Sequence, residues 1–282
     1  MNQIIEKKIL APQISLIKVY NPEISRKAQP GQFVVLRIYK NGERIPLTIA
    51  DSNSQDGTIT IVFQKIGATT KLLDTLKPND VILDILGPLG HPAHIKNFGT
   101  VVCIGGGVGI AEIYPVAKSY KKNGNKVISI LGARNKDLII FYDEIKSISD
   151  ECYVTTDDGS FGKKGFVTDV LKDLMQRENI SLVSAVGPTI MMKVVSNLTK
   201  EKGIKTLVSL NPIMLDATGM CGVCRVTVDG KVKFACVDGP EFDGHLVDFD
   251  ELMSRQKIYL SEEQTAIKVH CSDENPNCRC KL

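Results

Sequence analysis

Two hydrophobic rhythms divide the chain. Up to about residue 97, apolar residues gather in short runs: "ISLIKVY", "QFVVLRIY", "RIPLTIAD", "TITIVFQK" and "DVILDILGPLG". Pro, Gly, Asn and Asp separate these β-rich runs, as turns between strands require. Five or six strands at this spacing predict a small antiparallel β-barrel or sandwich, interrupted by one short helix at "TTKLLDTL". From about residue 98 the rhythm becomes strand, helix, strand. "TVVCIGGGVGI" runs into the helix "AEIYPVAKSYKKNG", followed by "KVISILGAR", "LIIFYDEIKSI", "CYVTTD", "FVTDVLKDLMQREN", "LVSAVG", "IMMKVVSNLTKEKG" and "KTLVSL". That alternation with short links predicts a parallel sheet covered on both faces. Past about residue 211 regularity fades, with a hairpin predicted around Asp229–Gly230. The fold class is therefore α/β plus β. Residues 1–97 form an N-terminal antiparallel β-barrel, 98–210 a parallel-sheet domain, and 211–282 a small C-terminal subdomain.

The first chemical signal is "VVCIGGGVGIAEIYP". A strand delivers the chain to Gly105, Gly106, Gly107 and Gly109, and a helix follows at once. Glycines there let a pyrophosphate approach the backbone, and the helix start offers N–H groups and a favourable dipole. The bland alternative is a tight strand-to-helix turn. In "VSAVGPTIMMK", Gly187 and Pro188 stand at a strand's carboxyl edge, where open α/β sheets place ligands.

In the barrel region Arg44 and Thr48 lie four apart on one strand, so alternation points both to the same face. Such a pair suits a phosphate and a polar ring edge, or equally a solvated face. Gly67, Thr69 and Thr70 open the short helix and offer a second phosphate candidate, with plain N-capping as the alternative.

Composition narrows the picture. The chain has 282 residues, 43% of them hydrophobic and 24% charged, with a net charge of +3. So small and scattered a charge excludes neither fold nor catalysis but argues against nucleic acid or membrane partners. No run of about 18 apolar residues occurs, and the N-terminus lacks a signal peptide's apolar core. A cytoplasmic protein is expected. Eight cysteines in a reducing compartment read as thiols or metal ligands rather than disulfides. All but Cys103 and Cys152 follow residue 220, which sets the C-terminal part off. Cys221, Cys224 and Cys236 are spaced like iron–sulfur ligands, yet such a centre takes four.

The motifs "RIPLT", "GATT", "GGGVGIAEIYP" and "VGP" occur in the order found in the ferredoxin–NADP reductase superfamily, and the chain resembles it over nearly its whole length. More narrowly it is similar to electron-transfer subunits carrying a [2Fe–2S] tail. The branches are the dihydroorotate dehydrogenase electron-transfer subunit, the sulfide dehydrogenase small subunit, and the small subunit of NADH-dependent reduced ferredoxin:NADP oxidoreductase. The resemblance implies FAD at Arg44, Pro46, Leu47, Thr48, Gly67, Thr69 and Thr70. It implies NAD(H) at Gly105 to Gly109, at Ala133 and Arg134, and at Gly187 and Pro188. Two departures stand out: Thr69 replaces a second glycine of the flavin loop, and Val186 replaces a cysteine before Gly187.

The family's cluster pattern, laid on this sequence, puts Cys221, Cys224 and Cys236 in three places and Asp216 in the first. A carboxylate is anionic like a thiolate and can bind iron. Asp216 is the expected fourth ligand and points to the ferredoxin:NADP oxidoreductase branch; Cys271, Cys278 and Cys280 are the alternatives. The implied function is hydride exchange between NAD(H) and FAD, then electron transfer through the cluster to a larger subunit carrying FAD and [4Fe–4S] clusters. That hetero-oligomer would exchange electrons with NADP(H) and ferredoxin, by electron bifurcation. Two other readings stand beside it: an electron-transfer subunit of dihydroorotate dehydrogenase, and a nucleotide-binding iron–sulfur redox sensor.

Overall fold

The computed structural model describes the backbone of residues 1–271 and the side chains to residue 269. Its first part contains β1 (Gln3–Ala11), β2 (Ile14–Tyr20), α1 (Pro22–Lys27), β3 (Phe33–Arg37), β4 (Arg44–Asn53), β5 (Thr58–Gln64), α2 (Ala68–Thr75) and β6 (Asp84–Leu89). The six strands pair antiparallel in the order β1-β2-β5-β4-β3-β6. The Ile4 N–H donates to the Asp80 carbonyl at 2.9 Å, and the Ile82 N–H to that of Asn2 at 3.0 Å. These bonds tie β1 to the segment entering β6 and close the sheet into the expected barrel.

Alternation explains why the barrel strands read as nearly continuous apolar runs. Val34 and Leu36 of β3, Ile17 and Val19 of β2, and Ile59, Ile61 and Phe63 of β5 fill the barrel. Their neighbours Phe33, Val35, Leu16 and Val62 point the other way, into the cores of the second domain. Strands buried on both faces have no position left for a polar residue.

The second part runs β7 (Thr100–Gly106), α3 (Gly109–Lys122), β8 (Lys126–Ala133), α4 (Tyr142–Ile148), β9 (Glu151–Thr156), β10 (Lys163–Lys164), α5 (Val167–Arg177), β11 (Leu182–Val186), α6 (Thr189–Lys200) and β12 (Thr206–Ser209). The chain continues through β13 (Arg225–Val228), β14 (Lys231–Phe234), α7 (Ala235–Asp238), β15 (Glu241–Asp243), α8 (Phe249–Arg255) and α9 (Leu260–Cys271). The sheet order is β10-β9-β8-β7-β11-β12-β15, parallel except for the last strand. Strand order reverses between β7 and β11, so a crevice opens at their carboxyl ends, where doubly wound sheets bind ligands.

The predicted hairpin is present: Asp229 and Gly230, both at positive φ (54° and 66°), join β13 to β14. The helix expected from "LIIFYDEIKSI" starts only at Tyr142, because Phe141 takes a left-handed φ of 54° and Lys136–Leu138 form a single 3-10 turn. The described part of the C-terminal segment packs into the core of the parallel sheet. Met214, Ala217, Cys224, Val226, Ala235, Cys236 and Phe242 join the same cluster as Ile104, Ile130 and Val183 of the parallel sheet. β15 extends that sheet by pairing with β12, which the irregular sequence there does not foretell.

Candidate functional site

The start of α3 is a partition. Gly107 lines a cavity of about 610 Å³ at the switch point, and its neighbour Val108 lines a second cavity of about 270 Å³ facing the barrel. The second cavity has apolar walls from Phe33, Leu47, Val62 and Met214, with Thr48, Gln64, Ser209 and Asn211 as polar points. Its far side is Met214, which belongs to the loop that carries Asp216, Cys221 and Cys224. Nucleotide crevice, barrel cavity and cysteine loop therefore follow one another in space.

In the barrel cavity, Pro46, Leu47, Thr48 and Thr70 all contribute to the lining. Arg44 does not: it stands exposed at the start of β4. Thr70 caps α2, its hydroxyl donating to the Gly67 carbonyl and accepting the Gly67 N–H, both at 3.1 Å. Thr69 instead donates to the Glu43 carboxylate beside Arg44. The slot, with apolar walls and few polar groups, fits a planar ring system such as a flavin.

The larger crevice gathers Gly106, Gly107, Ala133, Arg134 and Pro188. Packing dictates most of the glycine pattern. A Cβ on Gly105 would come within 2.8 Å of Ile110 Cα, and one on Gly109 within 2.5 Å of the Val186 carbonyl. Gly106 is closed off by Met191 and Pro188, and Gly187 packs on the Gly106 backbone. Only Gly107 has open space, with nothing within 4 Å and a φ of +58°. Close packing needs Gly105, Gly106 and Gly109, and of the two that line the crevice, Gly106 and Gly107, only Gly107 has room for a Cβ.

The cysteine loop, residues 211–224, brings two thiols together. Cys224 and Cys236 are buried, and their sulfurs lie 3.2 Å apart. Burial, then the Cys224 thiol, pushes the Cys236 thiol up to about 12; the Gly219 N–H opposes the shift and the Asp216 charge adds to it. Cys221 is exposed. Asp216 accepts the Thr218 N–H at 2.7 Å and the Cys221 N–H at 2.8 Å, one on each carboxylate oxygen. These bonds, that from Thr218 first, hold its pKa below the usual carboxylate value, so it is ionised, as a ligand must be. Oδ1 also accepts the Thr218 hydroxyl at 3.4 Å, so the spare lone pair is on Oδ2. Among the described residues no three His, Cys, Asp or Glu side chains converge on one point. The donor chemistry still fits an iron–sulfur centre: two thiol sulfurs in contact, with a carboxylate and a third thiol on the same short loop. Cys278, Cys280 and the Cys271 side chain lie outside the described residues.

Sequence reasoning missed Glu112, Ser209 and Asn211 in the barrel cavity, and Asp157 and Phe166 in the crevice. Glu112 reads as an ordinary acidic residue in the first turn of a helix, where it complements the dipole. Asp157 carried a usable signal. It directly follows β9, one strand further along the sheet than the position usually searched for an acidic nucleotide contact.

Comparisons with known proteins bear on the same regions. Residues 211–248 match the family model for the iron–sulfur cluster binding domain of dihydroorotate dehydrogenase B. Residues 103–197 match that for the oxidoreductase NAD-binding domain. A dihydroorotate dehydrogenase B (NAD(+)) electron transfer subunit homolog of Thermotoga maritima is 50% identical over 264 residues, 94% of this chain and 93% of the relative. The electron transfer subunit of dihydroorotate dehydrogenase B from Fusobacterium nucleatum is 35% identical over 223 residues, 76% and 84% of the two chains. Among solved structures, a chain of the NADH-dependent reduced ferredoxin-NADP oxidoreductase, studied for flavin-based electron bifurcation, superposes with a TM-score of 0.91 at 49% identity, covering 95% of this chain and 97% of that one. This chain belongs to the family of dihydroorotate dehydrogenase B electron-transfer subunits and their homologues.

Proposed function

We propose that the chain is the electron-transfer subunit of a heteromeric oxidoreductase. It takes hydride from NADH in the crevice at Gly107 and passes electrons through FAD in the barrel cavity. A [2Fe–2S] cluster held by Asp216, Cys221, Cys224 and Cys236 then carries them to a larger partner. The observation behind this reading is the shared wall: consecutive residues Gly107 and Val108 line the two cavities, and Met214 of the cysteine loop closes the second. Groups bound in the two cavities would adjoin at this peptide, as direct hydride transfer requires.

Bound flavin supplies the exchange between a two-electron hydride and the single electrons a cluster can take. The protein holds and orients. Thr48 would offer its hydroxyl to a bound ring, and Phe33, Leu47 and Val62 would exclude water from it. Arg44, at the exposed entry to β4, and the α2 start at Gly67, Thr69 and Thr70 are placed for the cofactor's phosphates. Pro188, with Gly187 packed behind it on Gly106, would wall the nicotinamide side, and Ala133 and Arg134 the adenosine side.

The 49% identical relative belongs to a reduced ferredoxin-NADP oxidoreductase, which supports a partner exchanging electrons with ferredoxin and NADP(H); the resemblance implies that this larger subunit carries FAD and [4Fe–4S] clusters. Among the described residues no helix is long and apolar enough to cross a membrane. A cytoplasmic location belongs to the proposal. The dihydroorotate dehydrogenase relatives support a second reading, in which the partner oxidises dihydroorotate. Anaerobically purified complex decides: acid-released FAD, iron and labile sulfide, with NADH bleaching the flavin, are expected. Protein lacking FAD, or flavin that NADH leaves oxidised, would refute the proposal.

A further inference from the structure

Two consecutive side chains at the end of α8 hold both ends of the cysteine loop. Gln256 Nε2 donates to the Asn211 carbonyl at 2.9 Å, where the loop begins. Arg255 Nη2 donates to the Val223 carbonyl at 3.1 Å, one residue before Cys224. The other end of the Gln256 amide accepts the Thr189 hydroxyl at 2.9 Å. A carbonyl can only accept, so the Asn211 bond fixes which way the amide points and the Thr189 bond completes it. Thr189 opens α6 directly after Gly187 and Pro188, while Asn211 and Met214 line the barrel cavity. One amide therefore joins the crevice wall, the cavity rim and the start of the loop. Residues 211–224 contain neither helix nor strand, so their carbonyls need partners from elsewhere. Arg255 and Gln256 are half-buried, and the guanidinium has no ion-pair partner among the described residues. It lines a small cavity of about 160 Å³ whose walls include Val223, Ile258 and Tyr259, and Arg225 is the other charged residue there.

If the loop carries the cluster, the reading on which this rests, these bonds have a task. We propose that Arg255 and Gln256 are positioning residues for electron transfer. Gln256 holds the loop against the barrel cavity and the crevice wall. Arg255 fixes the turn into Cys224 and offsets the charge that reduction adds to the loop. Where geometry governs a step, a misplacement of about 1 Å can cost on the order of a hundredfold in rate. The Asn211 bond is what fixes the start of the loop beside the cavity. Reduction moves one electron from the flavin to the loop, with no bond made or broken at either residue. That negative charge arrives next to a half-buried guanidinium with no carboxylate of its own, and net charge and hydrogen bonding around a cluster set its potential. Arg225, exposed at the start of β13, is screened by water and contributes less.

The test compares Gln256→Met, Gln256→Glu, Arg255→Met and Arg255→Lys with wild type in the anaerobically purified, FAD- and iron-loaded complex. Glutamate keeps an acceptor for Thr189 and loses the donor to Asn211, whereas methionine loses both. After rapid mixing with NADH, both Gln256 variants should slow cluster reduction on the order of tenfold more than flavin bleaching, at wild-type iron content. Hydrogen exchange of the 211–224 amides should quicken in both. In a redox titration read by EPR, Arg255→Met should lower the cluster's potential by about 59 mV, a tenfold change in the one-electron equilibrium, while Arg255→Lys keeps the charge and the potential. Equal slowing of the two phases in the Gln256 variants, or a wild-type potential in Arg255→Met, overturns the inference. Should a methionine variant fail to fold, Gln256→Glu, and Arg255→Gln in place of Arg255→Met, are read in the same way. Wild type that holds no cluster sinks the assignment of the loop as well, whereas a loaded complex indifferent to these substitutions sinks only the roles of Arg255 and Gln256.

Discussion

The carboxylate of Asp216 accepts the backbone N–H of Cys221 at 2.8 Å, closing a turn that ends on the first of the loop cysteines. Its other oxygen holds Thr218. Turn-capping and iron binding are compatible here, because both need an ionised carboxylate with lone pairs to spare. With Asp216→Ala the cluster should be lost or become labile, while Asp216→Cys should keep iron with a changed EPR spectrum of the reduced cluster. If Asp216→Ala retains full iron and an unchanged spectrum, Asp216 only caps the turn and another residue is the ligand.

The glycines of α3 divide into two kinds that substitution can separate. A Cβ on Gly109 meets the Val186 carbonyl at 2.5 Å, so Gly109→Ala should destabilise the domain by about 1–3 kcal/mol. Gly107→Ala meets no neighbour and should cost only about 1 kcal/mol for its positive φ. Its methyl would stand in the crevice and should weaken NADH binding by roughly tenfold, which is about 1.4 kcal/mol. Thermal unfolding and NADH titration of the two variants check this. Equal stability losses, with NADH affinity untouched in Gly107→Ala, would refute the division.

How much of this was legible in the sequence differs between fold and site. The change from short apolar runs to alternating strands and helices placed both sheets, because that periodicity is dictated by burial on known faces. β15 was not legible: the three residues "EFD" carry no period and become a strand only because β12 offers them an edge. The glycine string located the crevice, while close packing of α3 on β7 and β11 independently selects glycine at Gly105 and Gly109. Glu112 was invisible for a different reason. Nothing local distinguishes it from a dipole-complementing glutamate, and its isolation depends on which residues β4, β5 and the 209–211 segment bring around it.

Asp157 lines the crevice beside Arg134, with its backbone N–H bonded to the Ala133 carbonyl at 3.2 Å. A carboxylate there suits a ribose hydroxyl and repels a 2′-phosphate, while Arg134 would draw one. Asp157→Ser should therefore shrink the preference for NADH over NADPH by roughly tenfold, or about 1.4 kcal/mol. Steady-state kcat/KM for both nucleotides measures it. An unchanged ratio would remove Asp157 from nucleotide choice.

Asp74 fastens the barrel. Ser15 donates to it at 2.6 Å, and Lys7 and Lys65 each lie 3.2 Å from a carboxylate oxygen. Burial alone would raise its pKa, but the bonds from Ser15, Lys65 and Lys7 outweigh burial and leave it lowered. A lowered folded pKa means stability that is present above the unfolded value and lost as pH falls through the folded one. Asp74→Asn should cost about 1–2 kcal/mol at neutral pH, and the gap to wild type should shrink below about pH 4. A gap in denaturant unfolding that is the same at both pH values would contradict this.

The order of the three sites is the central claim, and a rapid anaerobic mix of NADH with the oxidised complex tests it most directly. Flavin absorbance and the freeze-quenched EPR signal of the reduced [2Fe–2S] cluster are followed together. The geometry predicts flavin bleaching first, with the cluster signal appearing afterwards at the expense of reduced flavin, and Asp216→Ala bleaching normally without the second phase. A cluster that is reduced before or without the flavin, or a flavin that NADH never bleaches, would contradict the path from Gly107 through the barrel cavity to Cys224 and Cys236.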